Sequence, residues 1–161
     1  MDAPSSPPGH SVAASRPLDA TGWRILEELQ RDARLPFAEL GRRVGLTAPA
    51  VAERVRRMEL AGLIQGYRAE VNRAALGAAL TAFVRIRAFP GRDGEIESFA
   101  AARGEVLECH EVTGEDSYLL KIAAGSVRQL DRVVTDLAPF GTTHSLLVLS
   151  TKVAGKPVSG G

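Results

Sequence analysis

Regular apolar spacing begins near position 18. Ile25, Leu26 and Leu29 recur at helical intervals, Asp19 stands where a helix cap belongs, and the run closes near Arg31. Pro36 suits the first turn of a second helix, whose Phe37, Leu40 and Val44 share one side before Gly45 stops it. Thr47 caps a third helix over about residues 48–60, with Val51, Val55 and Met58 inward and Gly62 past its end. The period changes at residue 80. Leu80, Ala82, Val84, Ile86 and Ala88 alternate with Thr81, Phe83, Arg85 and Arg87, which is strand spacing. A short amphipathic helix follows over residues 93–102, carrying Ile96, Phe99 and Ala100, and then strands near residues 105–112 and 117–123. Ser126 and Gln129 have capping-box spacing ahead of a helix burying Val127, Leu130, Val134 and Leu137, and residues 142–153 supply the last strand.

Three helices followed by a βαββαβ order predict an α+β chain. Its first domain is a helix-turn-helix and its second a ferredoxin-like antiparallel sheet with both helices on one face. The other face would leave Phe83, Leu107 and Leu119 uncovered, which predicts a homodimer or a higher homo-oligomer built through the second domain. Residues 1–17 combine Pro, Ser and Ala with few large apolar groups, so ordering them would cost more entropy than burial returns. The expected divisions are a disordered arm at 1–17, the helical domain at 18–66, a linker at 67–78, the sheet domain at 79–154 and a flexible tail at 155–161.

Charge adds a direction to this outline. The net charge of the 161-residue chain is only +1, which argues against coating nucleic acid by charge alone. Residues 19–73 carry 10 arginines against 8 acids, whereas residues 79–152 carry 8 bases against 10 acids. Arg42, Arg43, Arg54, Arg56 and Arg57 stand against Glu53 alone over residues 42–57, a local net of +4 of the kind that meets phosphates. With Val51, Val55 and Met58 inward, 100° per residue turns Pro49, Ala50, Glu53, Arg56 and Arg57 outward and leaves Arg54 at the border. Arginine forks onto guanine or neutralises phosphate, and a small Ala50 allows close approach to a thymine methyl. Thr47, at the start of that helix, joins the candidate DNA contacts, as do Arg42 and Arg43 before it. A basic three-helix unit also serves as a protein-binding module.

The segments LDATGWRILEELQRDAR, ELGRRVGLTAPAVAERVRRMELAGLIQGYRAEVN and VLECHEVTGEDSYLLKI, spread over residues 18–153, narrow that choice. In this order the chain resembles the leucine-responsive regulatory protein and asparagine regulator (Lrp/AsnC) family. The resemblance implies a winged helix-turn-helix, a linker strand near residues 67–72, and an effector domain whose sheets pair in dimers. It also places a small-molecule pocket beside the turn formed by Gly114, Glu115, Asp116, Ser117 and Tyr118. Backbone amides and Ser117 would hold a carboxylate there, and Glu115 or Asp116 an ammonium group, so the expected effector is an amino acid or a related metabolite. Two positions depart from the family: Gly22 and Ser117 stand where acids are common. The same residues 114–117 also read as a plain hairpin turn.

The remaining chemistry is sparse. A single cysteine, Cys109, excludes an intramolecular disulfide framework and a Cys-rich zinc site, and fits a reducing compartment. Cys109 and His110 are consecutive on a strand, so they point to opposite faces and make a poor nucleophile and base pair. The three histidines, His10, His110 and His144, lack metal-ligand spacing. No apolar run approaches a membrane span and residues 1–17 do not read as a signal peptide, so the expected location is the cytoplasm, associated with the nucleoid. The expectation is therefore a regulator without a cofactor, bound to double-stranded DNA at a roughly palindromic operator. An enzyme built on the sheet domain, or an architectural DNA-wrapping protein without an effector, are the alternatives.

Overall fold

The computed structural model describes residues 18–160, so the arm expected at residues 1–17 lies outside the described residues. The chain divides into two compact units. One comprises the N-terminal part to Ala69 together with the C-terminal segment from Gly155, and the other comprises Glu70–Ala154.

Three helices build the first unit: α1 (Ala20–Arg31), α2 (Phe37–Val44) and α3 (Ala48–Leu60). Asp19 caps α1 by accepting from the Gly22 amide at 2.7 Å, and Thr47 caps α3 by accepting from the Ala50 amide. Ile25, Leu40, Val51, Val55 and Met58 bury together with Leu29, Leu35 and Val44, so the three apolar stripes meet in one core. Gly45 ends α2 in the left-handed region at φ 76°. Gly41, inside α2, lies so close to the following turn that a Cβ there would sit 2.4 Å from the Leu46 carbonyl oxygen. That approach sets α3 against α2.

After α3 the chain runs through turns and irregular backbone, with Leu63 and Ile64 packed back on the core. The linker strand expected over residues 67–72 does not form. A strand needs a hydrogen-bonded neighbour, and this stretch has none among the described residues. The segment beginning at Gly155, expected to be a flexible tail, instead lies on the first unit, where Val158 and the Gln30 side chain exchange two hydrogen bonds.

The second unit contains β1 (Leu80–Ala88), α4 (Asp93–Ala102), β2 (Val106–Glu111), β3 (Tyr118–Ala124), α5 (Val127–Leu137) and β4 (Gly141–Leu147). The strands form one antiparallel sheet in the order β2-β3-β1-β4, the ferredoxin-like arrangement. Ala82, Val84 and Ile86 of β1 and Tyr118, Leu120 and Ile122 of β3 face Ile96 and Ala100 of α4 and Leu130, Val133 and Leu137 of α5. Val127 was expected in that core but is 65% exposed, and Val133 is buried in its place. Position 127 is the first residue after the Ser126 cap, and the buried stripe begins one turn later. The capping box closes differently from its usual form: Ser126 accepts from the Gln129 amide, whereas Gln129 Oε1 accepts from the Gly125 amide. A bulge in β2 between Val106 and Glu108 inserts one residue. Val106 and Cys109 can then both face the core.

The opposite face of the sheet carries Phe83, half-buried and paired in register with the exposed Leu146, together with half-buried Leu119 and Leu107. The last strand stops at Leu147, six residues short of the expected end, and Leu149 beyond it is exposed.

Candidate nucleic-acid interface and effector turn

On α3 the structure gathers the outward set as the helical period requires. Arg56, Arg57 and Glu53 are exposed, with Pro49 and Ala50 in the first turn beside the Thr47 cap. Pro49 costs the helix no hydrogen bond in that position, because the first amides have no intrahelical partner. The helix therefore presents a compact first turn of small side chains followed by two exposed arginines. Arg56 donates to Glu53 at 3.1 Å, and Arg57 approaches the same carboxylate at 3.5 Å. Arg56 holds the Glu53 carboxyl below its ordinary range, so the acid is ionised at neutral pH and competes with any incoming phosphate.

Arg54 stands apart. Its Nη1 donates to both carboxylate oxygens of Asp19 at 2.9 Å, and its side chain is about one-third exposed. The Gly22 amide first, and Arg54 next, hold Asp19 below the usual carboxylate value. Asp19 thus caps α1, as its position in the sequence suggests, and also ties the start of that helix to α3, which the one-dimensional pattern did not show. On α2, Arg43 donates to Glu28 at 2.6 Å and to Glu39 at 3.1 Å, and Arg42 pairs with Glu39. Arg43 is the leading reason that Glu28 and Glu39 both titrate low. Arg24 donates to the Arg43 carbonyl and closes this band. Arg43 is thereby committed to a helix-to-helix network, while Arg42, Arg56 and Arg57 keep only single-acid surface partners.

In the second unit the β2–β3 turn brings Gly114, Glu115, Asp116 and Ser117 together. Gly114 has φ +116° with open space where a Cβ would stand. Two residues missed by sequence reasoning complete the cluster: Arg85 Nε donates to Asp116 at 2.6 Å, and Arg87 donates to the Glu115 carboxylate at 2.9 Å. The signal available was their shared face, two residues apart on β1. Ser117 is already occupied, since its hydroxyl accepts from the Ala88 amide at 3.1 Å and its own amide donates to the Ile86 carbonyl at 2.7 Å. Tyr118 does not join the turn. Strand alternation carries its ring into the core, and its hydroxyl donates to Glu97 at 3.1 Å. Cys109 packs against the helix-facing core, where burial pushes its thiol up, and His110 points away to Glu108. No group of His, Cys, Asp and Glu among the described residues could hold a metal ion, and none of their helices is long and apolar enough to cross a membrane.

Comparison with known proteins gives these two units names. Residues 18–59 match the AsnC-type helix-turn-helix domain, and residues 81–158 match the Lrp/AsnC ligand binding domain. The chain is 37% identical to the uncharacterized HTH-type transcriptional regulator YezC of Bacillus subtilis, over 83% of this chain and 95% of that one. It is 40% identical to a leucine-responsive regulatory protein of Rhizobium meliloti, over 74% of this chain and 80% of the relative. Among solved structures, a transcriptional regulator of Neisseria meningitidis in complex with L-Met superposes with a TM-score of 0.83 at 26% identity, covering 88% of this chain and 96% of that one. These relatives are transcription regulators, not enzymes. A DNA-binding helix-turn-helix joined to a ligand-binding ferredoxin-like domain makes this chain a DNA-binding transcriptional regulator, and it belongs to the Lrp/AsnC family.

Proposed function

We propose that the protein binds a roughly palindromic operator as a homodimer or higher homo-oligomer, and that an amino acid biases this binding from the β2–β3 turn of the second unit. The observation that carries the DNA half is the outward face of α3, where Pro49 and Ala50 leave the first turn bare and Arg56 and Arg57 stand exposed behind it. A bare N-terminal turn enters the major groove, and the arginines behind it reach phosphate or guanine. Arg42 supplies a further phosphate contact from α2, and Thr47 and Glu53 border the same face. The half-exposed sheet face around Phe83 and Leu146 supports association, because an apolar patch of this kind favours a partner. A two-fold assembly would present two copies of α3 to half-sites about one helical turn apart.

For the effector, Arg85 and Arg87 beside an acidic turn offer both signs of charge within a small volume. A free amino acid carries a carboxylate and an ammonium group, and exchanging each internal pair for one of these conserves the charge balance. The relative solved with L-Met supports this class of ligand. Nucleoid association in the cytoplasm follows from the same reading. The test is footprinting on operators selected from random DNA. Two protected half-sites about one helical turn apart are expected, and a single unsymmetrical half-site would refute the dimeric reading.

A further inference from the structure

We propose that the face of α1 carrying Trp23 and Gln30 in the DNA-binding unit is a dock for a C-terminal peptide, and that residues 155–160 of this same chain are its occupant. Beside the docked tail a cavity of about 500 Å³ stays open, walled by Trp23 and Leu26 of α1, by Leu63, Ile64 and Tyr67 from the stretch after α3, and by Val158 of the tail itself. Trp23 falls beside the apolar stripe of α1, so the three-helix core does not explain its position. The tail does. The Val158 amide donates to Gln30 Oε1 at 2.8 Å, and Gln30 Nε2 donates to the Val158 carbonyl at 2.9 Å. A primary amide side chain here does what a neighbouring strand would do, satisfying both backbone groups of one residue.

The second contact is steric. A Cβ on Gly160 would lie 2.8 Å from the Trp23 indole, so the backbone at that position rests directly on the ring. The Val158 side chain is 65% exposed and contributes little. Recognition is thus of the backbone at Val158 and Gly160, reached after a left-handed turn at Gly155 (φ +55°), with Pro157 restricting Lys156 before it to extended conformations. The chain leaves this unit at Ala69 and comes back to it at Gly155. The tail therefore anchors on α1 at two points, and Val158 walls the same cavity as the stretch that follows the recognition helix.

The chain holds a single tryptophan, so emission from Trp23 reports the dock directly. Wild type should emit further to the blue, and resist acrylamide quenching better, than a full chain truncated after Ala154. Val158→Pro removes the donated amide and should reproduce the truncated spectrum, while Val158→Ala should match wild type. Gln30→Ala, an exposed change, should lower hydrogen-exchange protection of the Val158 amide by roughly tenfold, as expected for loss of a hydrogen-bonded partner. Adding the peptide Gly-Lys-Pro-Val-Ser-Gly-Gly to the truncated protein should restore the blue emission. Circular dichroism and operator binding report whether each variant is folded. If Val158→Pro and the truncation both leave emission and quenching at the wild-type values, the proposal is wrong. A red shift of wild type on dilution, tracking dissociation of the assembly, would assign the peptide to a second copy and overturn the intrachain clasp.

Discussion

Replacing Gly41 by alanine tests whether the close approach of α2 to the turn sets the position of the recognition helix. The new Cβ would begin 2.4 Å from the Leu46 carbonyl oxygen and must reach at least 3.0 Å. What retreats is backbone, one residue ahead of the Thr47 cap, so α3 must shift or lose its cap. Gly41 is buried and overpacking of a buried site costs about 1–3 kcal/mol. A small domain loses roughly 4–8 °C of Tm per kcal/mol, so a cost of about 2 kcal/mol lowers the melting of this unit by roughly 10 °C. Operator affinity should fall with it, because a displaced α3 no longer keeps Pro49, Ala50 and Arg57 in place beside Arg42 of α2. Gly45→Asn is the control. That position has φ +76° and open space, and asparagine tolerates the left-handed region, so little change is expected. Differential scanning calorimetry with fluorescence anisotropy on a labelled operator reads both effects. A Gly41→Ala protein that melts and binds like wild type would refute the reasoning, as would an equal loss in Gly45→Asn.

Three further outcomes follow from the same geometry. Asp19→Asn keeps a competent cap but removes the charge facing Arg54. The Asp19 carboxyl titrates below its ordinary 3.8 in the folded state, so its contribution is complete above that value and vanishes as pH falls through the lower folded one. The Tm gap between wild type and Asp19→Asn should therefore be present at neutral pH and close in strongly acid buffer; a gap that persists there assigns it to something other than charge. Phe83→Glu places a carboxylate on the open sheet face opposite Leu146 and should yield monomers by sedimentation at micromolar concentration, whereas unchanged assembly would place the interface elsewhere. Gly114→Gln puts a side chain where φ is +116°, so calorimetric screening of the twenty amino acids should find a binder for wild type whose heat is lost in the variant. No binder to a folded, assembled wild type would favour the architectural reading without an effector.

The elements were legible in the sequence because period alone separates helix from strand. Val51, Val55 and Met58 fall on one side of α3 whatever surrounds them, and Ala82, Val84 and Ile86 on one face of β1. Period says less about where a stripe begins. The stripe of α5 centres on Leu130, Val133 and Leu137, which leaves Val134 at its margin and Val127 exposed in the first turn. The β2 bulge likewise depends on strand pairing, which is invisible along one strand. The outward arginines of α3 could be named in advance, but not their partners. Arg54 meets Asp19 across 35 positions and Val158 meets Gln30 across 128, contacts that only the folded chain creates. Tyr118 was drawn into the turn by adjacency in sequence, and strand alternation takes it out again.

If the outward face of α3 meets DNA, the salt dependence of operator binding counts its phosphate contacts. Each phosphate neutralised contributes about one unit to the slope of log K against log salt. Arg57→Ala should bind more weakly with a slope shallower by about one unit, while its melting temperature stays at the wild-type value, because the side chain is exposed and outside the core. Unchanged affinity and unchanged slope in both Arg57→Ala and Arg56→Ala would contradict the assignment of this face.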